Sequence, residues 1–246
     1  MTGNINRTAI VTGSSKGIGA AIARRLAADG FAVVVNYASG AEAAAAVVKE
    51  IESAGGRAVA VKADIAATDG MKTLFDSAEQ AFGGVDVLVN NAGIMQLSPI
   101  ADTTDEAFER QVAINLGGVF RGVREAAQRL REGGRIVNFS SSVVGLYQPA
   151  YGVYAATKAA VEAITHILAK ELGPKGITVN AVAPGPVETE LFMKGKSDDL
   201  LKAIIGMNPL KRLGQPEDIA GVVSFLAGPD GGWVNGQVVR ANGGVV

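Results

Sequence analysis

At 246 residues, 48% hydrophobic but only 5% aromatic, the chain has the length of one large α/β domain and the composition of a core built from Val, Ala, Leu and Ile. Cysteine is absent and His166 is the only histidine, which excludes disulfides, thiolate metal sites and cysteine nucleophiles and leaves no basis for a His-rich metal site or a Ser-His-Asp triad. The 23 basic and 24 acidic residues form no basic block, Met1 to Arg7 is polar, and no apolar run suggests a membrane span, so the expectation is a cytoplasmic protein with no signal peptide and no nucleic-acid partner.

Short apolar runs alternate with helical segments along the whole chain. Strands are predicted at Thr8–Val11, Ala32–Asn36, Ala58–Ala63, Val85–Asn90, Arg135–Ser140, Thr178–Ala183 and Gln237–Arg240. Between them the spacing predicts helices at Gly17–Ala28, Glu42–Ala54, Gly70–Phe82, Asp105–Arg131, Tyr154–Leu172 and Pro216–Leu226. Gly30, Gly55-Gly56, Gly83-Gly84 and Gly133-Gly134 read as the stops of the first four helices, and Pro216 suits the first turn of the last. The strands are unbroken apolar runs, which calls for burial on both faces. Strand–helix alternation requires parallel strands joined by crossovers, so the fold is a doubly wound, parallel, seven-stranded Rossmann sheet with helices on both faces. No linker, repeat or low-complexity segment interrupts it, and residues 1–246 form one domain.

The first strand runs into Thr12-Gly13-Ser14-Ser15-Lys16-Gly17-Ile18-Gly19, which opens a helix. Glycines there permit a tight turn and bring backbone amides close to a pyrophosphate, and the helix dipole adds to the attraction. Ile18, Ile22 and Leu26 give the helix an apolar stripe against the sheet. The second strand ends Asn36-Tyr37-Ala38-Ser39, without the carboxylate that an NAD site places on the ribose 2′-hydroxyl. Lys16 lies near the position of a 2′-phosphate, and Asn36 and Ser39 carry hydrogen-bond donors, so the expected cofactor is NADP(H), with NAD the alternative.

The reacting end carries Tyr154-Ala155-Ala156-Thr157-Lys158. Residues four apart share a helix face, so phenol and ammonium converge, and a cation there would lower a tyrosine pKa that is ordinarily about 10. Upstream, one strand ends Asn138-Phe139-Ser140-Ser141-Ser142 and another Asn90-Asn91-Ala92-Gly93, both at the carboxyl edge where this architecture binds ligands.

In this order and spacing, the Thr12-to-Gly19 loop, Asn90-Asn91-Ala92-Gly93, Asn115, Ser140–Ser142, Tyr154 with Lys158, and Pro184-Gly185 resemble the single-domain short-chain dehydrogenases/reductases, from the first strand to the last. The resemblance implies a catalytic set of Asn115, Ser141, Tyr154 and Lys158. Tyr154 would be the acid/base, Lys158 would lower its pKa and hold the nicotinamide ribose, a serine would orient the substrate oxygen, and Asn115 would hold a water behind Lys158. Strand register and the spacing to Tyr154 favour Ser141, whereas the following Val143-Val144-Gly145 favours Ser142. Cofactor contacts would come from Gly13, Ser15, Lys16, Gly17, Ile18, Gly19, Asn36, Tyr37 and Ser39 of the loop and second strand. Asp64 and Ile65 would serve the adenine side, Asn91 and Ala92 the adenosine ribose side, and Val187 and Thr189 the nicotinamide carboxamide side, with Gly93, Pro184, Gly185, Tyr154 and Lys158 completing the set. Glu188–Met207, with Leu191, Phe192, Met193, Leu200 and Leu201, would form a lid over an apolar or acyl substrate, and Met95, Gln96, Tyr147 and Tyr151 are further candidates for the pocket wall. His166 is expected at the surface or an interface. The likeness within the family is to 3-oxoacyl-carrier-protein reductases and related NADPH ketone reductases. It implies reduction of a small-molecule carbonyl to an alcohol by a homotetramer assembled through the two long helices and the last strand, and Asn242 stands there where an Asp is common. An NAD-dependent alcohol dehydrogenase and a nucleotide-sensing regulator on the same fold are the alternatives; the complete Ser/Tyr/Lys set speaks against the second.

Overall fold

The computed structural model describes residues Arg7–Val246. Strand β1 (Thr8–Val11) leads through α1 (Gly17–Ala28) to β2 (Ala32–Tyr37), α2 (Ala41–Ser53), β3 (Arg57–Lys62), α3 (Gly70–Phe82) and β4 (Val85–Asn90). The second half contains α4 (Asp105–Val112), a π-helical segment (Ala113–Gly118), α5 (Val119–Arg129), β5 (Leu130–Phe139), α6 (Val143–Leu146) and α7 (Gly152–Leu172). It continues through β6 (Thr178–Pro184), α8 (Glu190–Met193), α9 (Asp198–Met207) and α10 (Pro216–Ala227) to β7 (Val238–Ala241). All seven strands are parallel, in the order β3-β2-β1-β4-β5-β6-β7. The chain therefore moves outward from β1 to β3, returns to β4 on the other side of β1, and moves outward again. The reversal between β1 and β4 leaves a crevice at their carboxyl ends, where open α/β sheets bind ligands.

Successive side chains on a strand face opposite ways, and the core divides accordingly. Ala9, Val11, Val33, Val35, Val87 and Val89 pack toward α1, α2 and α10. Ile10, Val34, Leu88, Ile136 and Val179 pack toward α3, α5 and α7. Burial on both faces holds for β1, β4 and most of β2 and β6. It does not hold for the edges: β3 buries only Ala58, and β7 buries none of its four residues fully. An edge strand has one neighbour instead of two and is less fully covered.

The predicted helix Asp105–Arg131 is two helices separated by the π turn, and α5 ends at Arg129 rather than at Gly133-Gly134. Leu130 takes the extended conformation and pairs with Val85, which starts β5 five residues earlier than expected, across a register shift. Among the described residues, no helix is long and apolar enough to cross a membrane.

Candidate active site

The loop from β1 to α1 is held in place by its own polar residues. Ser14 Oγ donates to the Val11 carbonyl at 2.7 Å and accepts from the Asn36 amide at 3.0 Å. Thr12 Oγ1 accepts from the amides of Asn91 and Ala92, each at 3.0 Å, so β1 and β4 are joined at the crevice. Gly13 has φ +61°, and a Cβ there would lie 2.9 Å from Ala92; a Cβ on Gly19 would collide with the Gly13 carbonyl. Both positions therefore exclude a side chain. No side chain caps the N-terminus of α1, so its first-turn amides are available to an anion, and this turn has the shape and polarity that a nucleotide pyrophosphate requires.

One expected nucleotide contact is differently engaged. Asn36 was expected to donate to a 2′-phosphate, but its side chain is 2% exposed, accepts from Gly13 N at 3.0 Å and donates to the Ala63 carbonyl at 2.9 Å. A short amide beneath the loop satisfies buried backbone groups there, which leaves it nothing to offer a ligand. Ile65 places its side chain in the core, where it fills the space left by Gly118. Asp64 is exposed at the end of β3 and accepts from Ala66 N, Tyr37 is half-buried, and Ser15 and Ser39 remain open to solvent in part or whole. Lys16 is exposed and pairs with Glu190 at 2.6 Å.

At the other end of the crevice, a cavity of about 180 Å³ is lined by Ile18, Asn91, Gly93, Ser141, Ser142, Tyr154 and Lys158, together with Pro184, Gly185, Val187 and Thr189. The structure thus brings the expected catalytic serines, tyrosine and lysine to one opening beside the glycine loop. The two serines differ in their commitments. Ser142 Oγ, buried, donates to the Ala183 carbonyl at 3.2 Å and accepts from Asn242 Nδ2 at 2.9 Å. Ser141 Oγ accepts only a long bond from Val143 N at 3.4 Å and lies beside the phenol of Tyr154.

The expected lowering of the Tyr154 pKa is not present in the protein alone. Burial pushes it up to about 12, and the Ser141 hydroxyl only partly opposes this. Lys158 does not reach the phenol oxygen: its Nζ donates to the Phe139 carbonyl at 2.8 Å and lies 5.7 Å from the Tyr154 ring centre. Burial lowers the ammonium itself to about 8. Both groups are thus biased toward their neutral forms, because the low-polarity surroundings penalise charge.

Asn115 is fully buried in the π turn. Its Oδ1 accepts from Ile94 N at 2.8 Å and its Nδ2 donates to the Ile94 carbonyl at 2.9 Å, so it clamps the chain leaving β4. A Cβ on Gly93 would fall 3.2 Å from Asn115 Oδ1 and 3.6 Å from Lys158 Nζ, so both side chains approach the same glycine.

Of the other expected wall residues, Met95 and Tyr151 line the cavity, whereas Tyr147 is 82% exposed and Gln96 also faces solvent. Leu191, Phe192 and Met207 of the segment after β6 line it too; Met193, Leu200 and Leu201 do not. Gln148, Val143, Leu146 and Ile204 also line it and had no distinguishing signal in the sequence. His166 lies at the surface, with Nδ1 2.8 Å from the Gly236 carbonyl. Among the described residues, no group of His, Asp and Glu is placed to hold a metal ion.

Comparison with known proteins places this geometry in context. A family model described as enoyl-(acyl carrier protein) reductase matches residues 13–246. An uncharacterised oxidoreductase of Methylorubrum extorquens is 48% identical, with 97% of each chain covered. An NADPH-dependent aldehyde reductase-like protein of Arabidopsis thaliana is 46% identical, covering 98% of this chain and 94% of its own. Among solved structures, a short-chain dehydrogenase from Burkholderia cenocepacia in complex with NADP superimposes with a TM-score of 0.92 at 40% identity, with 98% of each chain covered.

Proposed function

Because the chain belongs to the short-chain dehydrogenase/reductase family of oxidoreductases, we propose that it is an NADP(H)-dependent carbonyl reductase that converts an apolar ketone, of the 3-oxoacyl type or similar, to an alcohol. The observation that carries this reading is the meeting of Ser141, Tyr154 and Lys158 in one apolar opening next to a glycine loop shaped for a pyrophosphate. When bound, NADPH supplies the hydride. The NADP complex of the Burkholderia relative and the absence of a carboxylate at the end of β2 both support that cofactor.

In this mechanism Ser141 holds the substrate oxygen, since the Ser142 hydroxyl is spent on Ala183 and Asn242. Tyr154 donates its proton to that oxygen as charge develops on it. A phenol held near 12 is protonated at neutral pH, which is the form reduction requires. Lys158 holds the nicotinamide ribose and stabilises the phenolate left behind, and Asn115 supports the water that returns a proton through Lys158. Met95, Leu146, Leu191, Phe192 and Met207 receive the apolar part of the substrate and exclude water, with Glu188–Met207 acting as the lid.

The assembly proposed is a homotetramer. Phe120 and Ile167 expose about half of their surfaces on α5 and α7, and Trp233, just before β7, is 98% exposed. Large apolar surfaces of this kind mark association sites, and sedimentation velocity would report the mass. The activity is tested by NADPH oxidation against 3-oxoacyl thioesters, diketones and quinones. Turnover of at least one class is expected; no turnover across the set would overturn the reading.

A further inference from the structure

The glycine loop and the lid meet at one ion pair. Lys16 Nζ lies 2.6 Å from Glu190 Oε2, and the two side chains are 68% and 71% exposed. Glu190 opens α8, directly after Thr189, whose Oγ1 caps that helix by accepting from Phe192 N at 3.2 Å. A Cβ on Gly17 would come within 3.6 Å of Thr189, so the start of the lid packs directly on the phosphate loop. Lys16 in turn holds the carboxylate of Glu190 below its usual pKa. Phe192, two residues on, forms part of the substrate wall.

We propose that Glu190 is a specificity-determining residue for the cofactor: it pairs with Lys16 and so competes with the 2′-phosphate of NADPH for that ammonium. The inference rests on the reading that Lys16 receives the 2′-phosphate. An exposed pair between flexible side chains is weak and easily displaced, whereas a phosphate close to dianionic at neutral pH is a stronger partner for an ammonium. The carboxylate left beside the phosphate then repels it. NADH, which lacks that group, meets neither the competition nor the repulsion. Glu190 therefore weakens NADPH binding selectively, and cofactor arrival frees the first turn of the lid from the loop.

The experiment is fluorescence titration of the full chain with NADPH and with NADH, at low and high salt, for Glu190→Gln, Glu190→Asp, Lys16→Ala and the double variant Lys16→Ala/Glu190→Gln. Glu190→Gln is expected to tighten NADPH about two- to fivefold at low salt, the size of one exposed charge interaction. It leaves NADH unchanged, and the gain shrinks as salt rises. Glu190→Asp keeps the wild-type NADPH/NADH ratio. Lys16→Ala weakens NADPH by about tenfold, as loss of a charged phosphate contact should, and in that background Glu190→Gln no longer tightens NADPH. If Lys16→Ala weakens NADPH but Glu190→Gln leaves it unchanged, the competition is refuted and the phosphate reading survives. If Lys16→Ala affects both cofactors equally, the phosphate reading itself fails. Equal weakening of both cofactors by Glu190→Gln would show that Glu190 only shapes the lid, which also overturns the proposal.

Discussion

The two ends of the crevice handle polar groups in opposite ways. At the nucleotide end, the side chains of Thr12, Ser14, Asn36 and Asn91 are spent on backbone groups of the loop and its neighbouring strands. At the reacting end, a phenol and an ammonium are buried against their preference for water, and Ser141 is left nearly free. The backbone that leads into Tyr154 is strained as well, with Tyr147 at φ +49° and Ala150 at φ +68°. The first end stabilises the fold, and the second costs stability that its chemistry requires.

Replacing Tyr154 by Phe is the severest test of this contrast. Loss of the proton donor should lower kcat by about 10²–10⁴-fold, with NADPH affinity close to wild type by fluorescence titration. Full activity in that variant would remove the assigned mechanism. Next in size is the serine pair. Ser141→Ala should lower kcat strongly with little change in Tm. Ser142→Ala should do the reverse, because the buried Asn242 amide loses the shorter of its two acceptors and keeps only the Val246 carbonyl, at a cost of about 1–3 kcal/mol.

Stability should then separate the two ends directly. Asn36→Leu strands the Gly13 amide and the Ala63 carbonyl and should destabilise by about 1–3 kcal/mol in urea melts. Lys158→Met should abolish turnover yet raise Tm at pH 7. The sign follows from the direction of the shift: with the folded pKa near 8, below the unfolded value, stability is greatest above the unfolded pKa and is lost as pH falls through about 8. For activity the sign is opposite, since the proposed role of Lys158 requires the cation. The kcat/KM for reduction should therefore decline as pH rises through about 8, while Tyr154 stays protonated throughout. A profile flat to pH 9.5 would detach Lys158 from the rate. The smallest effect expected is from Ala150→Gly, which removes the left-handed strain and should stabilise by about 1 kcal/mol.

The positions of the strands along the chain and the approximate bounds of most helices were legible because local pattern decides them: unbroken Val runs give central strands, and glycine spacing gives the loop. The meeting of Tyr154 and Lys158 on one opening was legible for the same reason, since one helix turn separates them. What could not be read depends on contacts between distant segments. The internal use of Asn36 is decided by Gly13 and Ala63, and the partner of Lys16 lies 174 positions away. The raised pKa of Tyr154 reflects how the whole fold closes around it, and the hydroxyl of Ser142 is taken by a residue 100 positions on.

The π turn at Ala113–Gly118 has a consequence for heredity. An α-helix returns to the same face about every 3.6 residues, and a turn closed from i to i+5 takes in an additional residue. The stretch from Asp105 to Arg129 thus carries a phase slip, with Gln111 and Asn115 turned inward and Phe120 outward on either side of it. Deleting a single codon there would yield a more regular helix. It would also rotate one half against the other, so the chain could keep Asn115 turned inward or its outward aromatic face, but not both.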